Sequence, residues 1–306
     1  MGISIYVESL VRGEMDELWD KTQEPKLHQR WDLRFSDIEY LPRQPGEPQR
    51  FLYATRIGAG ARIEGAGESV GESEAATGQR TSALKFWSED RKSLIESGSG
   101  YWKYVPGTDG IQFITSYDYQ TRFGVLGKIV DKLMFRPLLG WATAWSFDRL
   151  RLWIEAGILP EDSRDRALIY TLCRGTIAFV WLYHGLVPKL IYRNPDELRM
   201  LREAGVSGAN LIGVTSAFGW AEVSLGLIIL IFWRSRWPLW FTLLAMVLAT
   251  AGVLVNSREY VTAAFNPITL NLAVSALTVV VLWLRHNLPT ASNCLRRPRE
   301  SPVRRP

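Results

Sequence analysis

The sequence predicts a two-part chain: an α+β domain with an antiparallel sheet and one long helix, followed by an all-α bundle of four transmembrane helices. Two patterns carry this prediction. The first half alternates short strand-like segments with turn residues, whereas the second half holds four apolar runs of membrane-spanning length joined by short loops. A chain of 306 residues has room for two such domains.

The charge balance differs between the two halves. Residues 1–157 hold 20 Lys and Arg against 22 Asp and Glu, a net of −2, whereas residues 158–306 hold 16 against 9, a net of +7. Basic flanks of membrane helices explain this excess better than a nucleic-acid partner, which we do not expect. The N-terminus lacks the apolar run of a signal peptide, so the first domain is expected in the cytosol. Cys173 and Cys294 lie far apart, and we expect no disulfide.

The N-terminal half begins with a strand and two short helices. Ile3–Ser9 alternates like a strand, Gly13–Trp19 is amphipathic, and Pro25 opens a second helix over Glu24–Gln29. Six further strands are predicted at Leu33–Leu41, Arg50–Ile57, Arg62–Glu72, Thr81–Ser88, Ser93–Val105 and Ile111–Thr121. The last of them alternates at period two, as expected for a half-buried antiparallel sheet.

A long helix closes this domain, for which we expect residues 1–158. Gly127–Glu155 has an apolar side, and Pro137 should start or kink its main part. The order of elements, together with Phe135–Trp141 and Ser146–Leu150, resembles the START/polyketide-cyclase-like (SRPBCC) superfamily with its helix-grip fold. The resemblance implies an apolar cavity between the sheet and the long helix, with a lipid or another hydrophobic small molecule as its ligand.

Aromatic residues are the predicted lining of this cavity, with ordinary core packing as the alternative for each. The candidates are Tyr53, Phe86, Trp102, Phe113, Tyr117, Trp141 and Trp145. Isolated charges on strands are usually solvated, so acid–base work in the pocket is the less favoured role for Asp37, Glu39, Asp118 and Arg122. We predict no metal site, because His28 is the only histidine of this half.

The membrane domain is predicted at residues 167–285, after a linker at 159–166. Its four spans are expected at about 167–192, 208–233, 237–256 and 265–285, each long enough to cross the hydrocarbon core. The remaining residues, 286–306, are basic and rich in Pro, so we predict a disordered tail.

The arginines predict the orientation of the bundle. Four spans place both ends of the bundle on one side of the bilayer. Arg234 and Arg236 follow the second span, and six more arginines follow the fourth, whereas acidic residues offset the charge of the other face. The positive-inside rule therefore places the N- and C-termini in the cytosol. The expected location is the cytoplasmic, or inner, membrane of a bacterium.

Polar residues inside the spans mark the expected site, because burying an unpaired charge is costly. The depths of Arg174 and Glu222 allow an ion pair between the first two spans. Snorkelling is the alternative for Arg174, whereas Glu222 lies too deep for it. Asn266 is expected to cap the fourth span. The other members of this predicted membrane-domain site are His184, Lys189, Asn256 and Asn271.

The second half resembles the DoxX-like family of four-helix membrane proteins over about Arg166–Trp283. The stretches that carry the resemblance are Trp181–Lys189, Glu197–Gly205 and Phe265–Pro267, together with the intramembrane Glu222. The family is named after a subunit linked to a thiosulfate:quinone oxidoreductase, so the resemblance implies a membrane redox setting. No cofactor is evident in the sequence, although a quinone is compatible with it.

Three functions follow from these patterns. We favour a non-enzymatic or accessory membrane protein whose cytosolic domain binds a lipid-like ligand. The first alternative is an enzyme, either a subunit of a quinone-linked oxidoreductase with a redox partner protein or a cyclase-like activity in the cytosolic cavity. The second is a small transporter that uses Arg174 and Glu222. Membrane lipid is an expected partner in all three.

Overall fold

Seven antiparallel strands form the sheet of the N-terminal half. In the computed structural model, which describes residues 4–58 and 60–298, they are β1 (Ile5–Val11), β2 (Asp37–Tyr40), β3 (Arg50–Ile57), β4 (Ala61–Glu74), β5 (Arg80–Trp87), β6 (Ile95–Gly107) and β7 (Gly110–Thr121). Their spatial order is β1-β7-β6-β5-β4-β3-β2. The predicted alternation of β7 is confirmed, since its inward residues are buried: Ile111, Phe113, Thr115, Tyr117 and Tyr119.

Two short helices and one long interrupted helix accompany this sheet. They are α1 (Met15–Gln23), α2 (Pro25–Trp31), α3 (Gly124–Val130) and α4 (Arg136–Ala156). A π-helical segment, Asp131–Phe135, joins α3 to α4. Pro25 lies in the first turn of α2, where a missing amide hydrogen breaks no hydrogen bond, and Pro137 is in the first turn of α4, directly after the π-helical segment. The predicted long helix is therefore divided into two at Asp131–Phe135.

Helix α4 packs on the inner face of the sheet. The rings of Phe113 on β7 and Phe147 on α4 stack with their centroids 4.3 Å apart, and Trp31 meets Phe147 edge to face. Leu150 and Leu18 are also fully buried in this core. Burying each such side chain stabilises the fold by roughly 1.5–3 kcal/mol. An antiparallel sheet wrapped around one long helix is the predicted helix-grip arrangement.

The chain divides into two compact units, and the first of them includes its C-terminal segment. Unit 1 comprises residues 1–164 and 289–306, and unit 2 comprises residues 165–288. Leu295 pairs with Glu8 on the edge strand β1 through two backbone hydrogen bonds of 2.9 Å. The fully buried carboxylate of Asp148 accepts hydrogen bonds from the Thr290 amide at 2.7 Å and the Asn293 side chain at 3.0 Å.

These contacts correct part of the predicted disordered tail. Composition predicted disorder over 286–306, but a 3-10 turn at Ala291–Asn293 and the bridge to β1 order the segment. The physical reason is the buried acceptor Asp148, which lies far away in the sequence. The prediction for residues 299–306 lies outside the described residues.

The predicted linker at 159–166 is helical. Helix α5 (Pro160–His184) begins there, with Pro160 in its first position and Glu161 and Asp162 favouring its N-terminus. Within unit 1, Arg30 holds Glu161 through two hydrogen bonds of 2.8 and 3.0 Å. The residues given as the linker thus form the first turns of the helix that follows them.

Among the residues described, the regular secondary structure of unit 2 is helical. It continues α5 and adds a π-helical segment Gly185–Ile191, α6 (Pro195–Glu203), α7 (Leu211–Ile231), α8 (Trp237–Asn256), a 3-10 helix Arg258–Thr262 and α9 (Pro267–Leu284). Three of these helices, α7, α8 and α9, are long and apolar enough to cross a membrane. Asn266 caps α9 as predicted, since its side chain accepts a hydrogen bond from the Thr269 amide.

Candidate functional site

A buried lysine links two glutamates in unit 2. Lys189 Nζ lies 3.1 Å from Glu222 Oε2 and 3.1 Å from Glu197 Oε1. Glu222 is on the middle turns of α7, Glu197 is in the first turn of α6, and Lys189 is on the π-helical segment. Two carboxylates share one ammonium group, so the cluster carries a net negative charge when all three groups are ionised.

Glycine contacts bring the π-helical segment against α7. A side chain on Gly185 would place its Cβ 2.5 Å from the carbonyl oxygen of Gly219 and 2.8 Å from the amide of Val223. The two backbones therefore approach as closely as small residues allow. Pro188 lies inside this segment and lacks an amide hydrogen, which suits the wider π-helical turn. The result is that Lys189 lies beside Glu222, although 33 residues separate them.

Arg174 binds carbonyl oxygens at the end of α7 instead of the predicted partner Glu222. Its guanidinium donates to the Ile229 oxygen at 3.1 Å, to the Phe232 oxygen at 2.8 Å and to the Tyr170 hydroxyl at 3.0 Å. The last carbonyls of a helix lack partners within it and carry partial negative charge. The structure therefore pairs Glu222 with Lys189 instead of Arg174, whose buried guanidinium extends toward the Phe232 and Ser235 carbonyls at the end of α7.

The other predicted polar residues of unit 2 have separate roles. His184 is the last residue of α5, directly before the π-helical segment that carries Lys189, and its ring meets Tyr183 edge to face. Asn271 on α9 donates to Thr250 on α8 at 3.1 Å, and Asn256 donates to its own helix. Glu197 was not among the residues predicted for this site. Its signal was the Asn194–Pro195 helix start, which fixes an acidic first turn close after Lys189.

Unit 1 has an open apolar pocket at the end of the sheet. Its volume is about 330 Å³, within the usual range for small-molecule sites. It is lined by Ile57, Ile63, Lys92, Leu94, Phe123, Leu126, Gly127, Val130 and Phe135. Phe123 has a left-handed φ of 68°, which a bulky residue rarely adopts, and this turn directs the chain into α3. A second depression of about 540 Å³ is polar, with Arg43, Glu68 and Lys85 in its lining, and does not suit an apolar ligand.

The seven aromatic residues predicted to line a cavity lie elsewhere in the described chain. Trp102, Phe113 and Tyr117 belong to the buried core, and Phe86 and Trp145 pack against it. Tyr53 donates to the Trp87 carbonyl at 3.3 Å, and Trp141 is exposed. These residues do not line a cavity because core rings such as Phe113 and Trp102 pack against Phe147 and His28 and fill the space between the sheet and the helix.

A buried ionic cluster in unit 1 was also missed. Asp32 accepts two hydrogen bonds from the Arg34 guanidinium, at 2.9 and 2.5 Å, and its Oδ2 lies 3.0 Å from His28 Nε2. Burial alone raises the pKa of Asp32, but the charge of Arg34 and both hydrogen-bonding partners outweigh it, so the pKa is well below its usual value. Burial lowers the pKa of His28, against the opposing pull of Asp32. His28 and Asp32 lie one helical turn apart, which was the available signal.

The candidate acid–base residues on the strands have structural partners or are exposed. Asp118 pairs with Arg136 at 3.0 Å, and Arg122 donates to the Ser88 carbonyl at 2.7 Å. Asp37 and Glu39 are exposed. Among residues 4–58 and 60–298, no group of three His, Cys, Asp or Glu side chains has the arrangement of a metal site.

Comparison with known proteins identifies the second half of the chain. The sequence profile of the DoxX-like family matches residues 178–279. The uncharacterized membrane protein YndG of Bacillus subtilis (strain 168) is 49% identical over 182 residues, which are 59% of this chain and 68% of that protein.

Two solved structures are similar to about half of this chain at low sequence identity. The di-domain ARO/CYC StfQ from the steffimycin biosynthetic pathway is 15% identical, with a TM-score of 0.38 over 51% of this chain and 52% of that chain. A STAR-related lipid transfer protein from Xanthomonas axonopodis is 14% identical, with a TM-score of 0.38 over 48% of this chain and 82% of that chain. The helix-grip description of unit 1 rests on its own strand order and helix packing.

Proposed function

This chain belongs to the DoxX-like family, and we propose that it is a four-span protein of the cytoplasmic membrane whose unit 1 binds an apolar, lipid-like ligand in the cytosol without transforming it. The observation that carries the ligand-binding role is the open apolar pocket between the end of the β3–β4 hairpin and α3. The apolar helices of unit 2 support the membrane role.

Chain connectivity supports a fourth crossing by α5. Unit 1 includes residues that precede unit 2 and residues that follow it in the sequence. A single compact unit lies on one side of a bilayer, so the chain between residues 165 and 288 must cross an even number of times. Helices α7, α8 and α9 are long and apolar enough to account for three crossings. Helix α5 is the remaining helix of sufficient length within the described part of the chain.

The side chains of α5 support the same assignment. Its buried face, which includes Tyr170, Ile177 and Trp181, packs in the core of unit 2. Its other face exposes large apolar residues at helical spacing: Leu168, Ile169, Leu172, Phe179 and Tyr183. Such a stripe is unfavourable in water but suits hydrocarbon chains. Arg174 is compatible with a span because carbonyl oxygens surround it.

The orientation follows from the charges at the two ends of the bundle. Arg234 and Arg236 lie between α7 and α8, at the end where Arg285 donates to the Arg234 carbonyl at 3.3 Å. At the opposite end acidic residues offset the basic ones, as in the Arg199–Asp196 ion pair at 3.0 Å. By the positive-inside rule, the end that carries Arg234, Arg236 and Arg285 is the cytosolic one.

Two single cysteines test this topology in whole cells. Asp109→Cys lies in the exposed β6–β7 turn of unit 1, and Ser207→Cys lies in the exposed segment before α7. Cys173 and Cys294 are buried, so they add little background labelling. A membrane-impermeant maleimide should label the Ser207→Cys variant in intact cells and the Asp109→Cys variant only after lysis. Labelling of both variants from the same side would contradict the crossing by α5.

A photoactivatable fatty acid tests the pocket in the full-length protein reconstituted in nanodiscs. We expect crosslinks on the tryptic peptide Ser93–Lys103, which carries the lining residue Leu94, in addition to those on the lipid-facing helices. Val130→Trp fills the pocket and should remove the crosslinks on this peptide, whereas Val70→Trp, on an exposed part of β4, should leave them unchanged. Crosslinks that survive the Val130→Trp substitution would contradict the ligand-binding proposal.

The Lys189–Glu222 pair favours a second candidate, a small transporter that moves protons through unit 2. A carboxylate in the middle of α7 that shares a lysine with Glu197 has two of the groups that a relay requires. Glu222→Gln should then abolish proton flux into proteoliposomes loaded with a pH-sensitive dye while the protein stays folded. Flux equal to that of the wild type, or none in either protein, would exclude this candidate.

A further inference from the structure

A large apolar surface lies exposed beside the pocket of unit 1. It is formed by the segment 123–141, which contains α3, the π-helical segment and the first turns of α4. The exposed residues of this 123–141 surface are Phe123, Val125, Leu126, Ile129, Leu133, Met134, Leu138 and Trp141. Val125 and Leu133 are each 75% exposed. An apolar patch of this size marks an interaction site in most soluble domains.

The spacing and charge of this segment match those of a helix that lies in a membrane interface. Leu126, Ile129 and Leu133 recur every three to four residues along one side. Lys128 and Lys132 are exposed on the same stretch. The acidic residue of the segment, Asp131, is buried and accepts a hydrogen bond from the Tyr119 hydroxyl at 2.5 Å. The charge that the segment presents to its surroundings is therefore positive.

Further basic residues are exposed around the mouth of the pocket. Lys92 belongs to its lining, and the neighbouring Arg91 is also exposed, although the exposed Glu89 lies close before them. Together with Lys128 and Lys132, Lys92 places positive charge beside apolar side chains, which complements an anionic bilayer surface. A second copy of the chain suits these lysines less well, because a two-fold contact would bring like charges together.

We propose that the 123–141 surface rests on the anionic face of the bilayer, so that the pocket beside it opens toward the lipids. Phe123, Leu126 and Val130 line the pocket and belong to the same segment, so a ligand would pass between bilayer and pocket along apolar side chains. The inference rests on the proposed membrane topology and deepens the proposed ligand binding, because it names the bilayer as the source of the ligand.

Fluorescence quenching by lipids that carry a nitroxide on the acyl chain tests this contact in the full-length protein. A bimane label is placed at Leu133→Cys, with Phe179→Cys on the exposed face of α5 as the positive control and Val70→Cys on β4 as the negative control. In nanodiscs with one chain each and anionic lipid, we expect quenching at Leu133 near the level at Phe179 and above that at Val70. Quenching at Leu133 no stronger than at Val70 would overturn the proposal.

A charge-reversed variant tests the electrostatic part. Lys128→Glu with Lys132→Glu should lower the ratio of docked to undocked protein in anionic nanodiscs by at least about fivefold per lysine. Unchanged quenching would overturn the role of anionic headgroups. Disulfide formation between Leu133→Cys chains in larger vesicles, without quenching in nanodiscs, would assign the surface to a second copy and also overturn the proposal.

The pocket variant separates this inference from the ligand-binding proposal. Val130→Trp should abolish fatty-acid crosslinking to Ser93–Lys103, a peptide outside the 123–141 surface, and leave quenching at Leu133 intact. Crosslinking that responds to Val130→Trp without quenching at Leu133 would leave the binding function standing and remove the docking surface. Quenching at Leu133 together with crosslinks that ignore Val130→Trp would remove the binding function and leave the docking surface standing.

Discussion

The two units each bury an ionic cluster, but they balance its charge in opposite ways. In unit 1 one carboxylate, Asp32, has two basic neighbours, His28 and Arg34, all from one short stretch of chain. In unit 2 one lysine serves two carboxylates that come from different helices. The first cluster is local and satisfied, whereas the second connects helices and leaves an excess of negative charge.

This difference indicates which of the two clusters can change its ionic partners. A carboxylate held by a bidentate arginine is fixed in one geometry and one charge state. When two carboxylates share one lysine, the ammonium group can move toward either of them. The charge near each carboxylate therefore depends on the position of the other. We therefore expect the unit 1 cluster to stabilise the fold and the unit 2 cluster to respond to ligands or ions.

The largest expected effect is the loss of Asp32. Asp32→Ala leaves the Arg34 guanidinium buried without its acid, and breaking a buried pair in this way costs about 3–5 kcal/mol. Thermal unfolding followed by tryptophan fluorescence should show a lower transition temperature for unit 1. Glu161→Gln, at the more exposed pair with Arg30, is the matched control and should cost under about 1 kcal/mol. Equal effects of the two substitutions would contradict the contrast in burial.

Lys189→Met should have the next largest effect, in unit 2. It leaves Glu222 inside the helices without its cation, and a buried charge of this kind costs about 3 kcal/mol. The second substitution Glu222→Gln should restore most of this stability, because it removes the unpaired charge. Unfolding in detergent, measured for the single and double variants, checks this recovery. A double variant no more stable than Lys189→Met would show that the pair makes no energetic contact.

Replacing Glu197 should have a smaller effect than replacing its partner lysine. Glu197 is partly exposed at the start of α6, so Glu197→Gln should cost about 1 kcal/mol or less. The remaining pair, Lys189–Glu222, then becomes balanced one to one. The same unfolding assay checks the ranking, and a loss larger than that of Lys189→Met would reverse the assignment of the central residue.

Local patterns predicted the elements, and the contacts that were missed depend on long-range geometry. Period-two alternation predicted β7, and the apolar runs predicted α7, α8 and α9, because each signal lies within one element. The partner predicted for Glu222 was wrong because the depth of a residue along its helix does not specify the direction in which its side chain points around the helix axis. Arg174 faces the end of α7, and the π-helical segment turns Lys189 toward Glu222.

The predicted disorder of the C-terminal segment was wrong in its described part for the same reason. Its composition is that of a disordered tail, and composition carries no information about Asp148, which holds Thr290 from 142 residues away. The pocket was also misplaced. Aromatic residues on the sheet face were expected to line it, but their size lets them fill the core, and the smaller aliphatic residues at the end of the sheet form the opening.

The smallest expected effect is a pH dependence confined to unit 1. Burial lowers the pKa of His28 from 6.5, so below that pH the unfolded chain binds a proton that the folded chain resists. The stability of unit 1 should therefore fall as the pH drops below 6.5, and Asp32, whose pKa is lowered from 3.8, adds to the loss only below about pH 4. The transition temperature of unit 1, measured between about pH 5 and 8, should fall toward lower pH in the wild type. In the His28→Gln variant it should change less with pH. If the pH dependence persists in the His28→Gln variant, its origin lies outside the cluster of unit 1. If the transition temperatures of both units depend on pH in the same way, the contrast between the two clusters is removed.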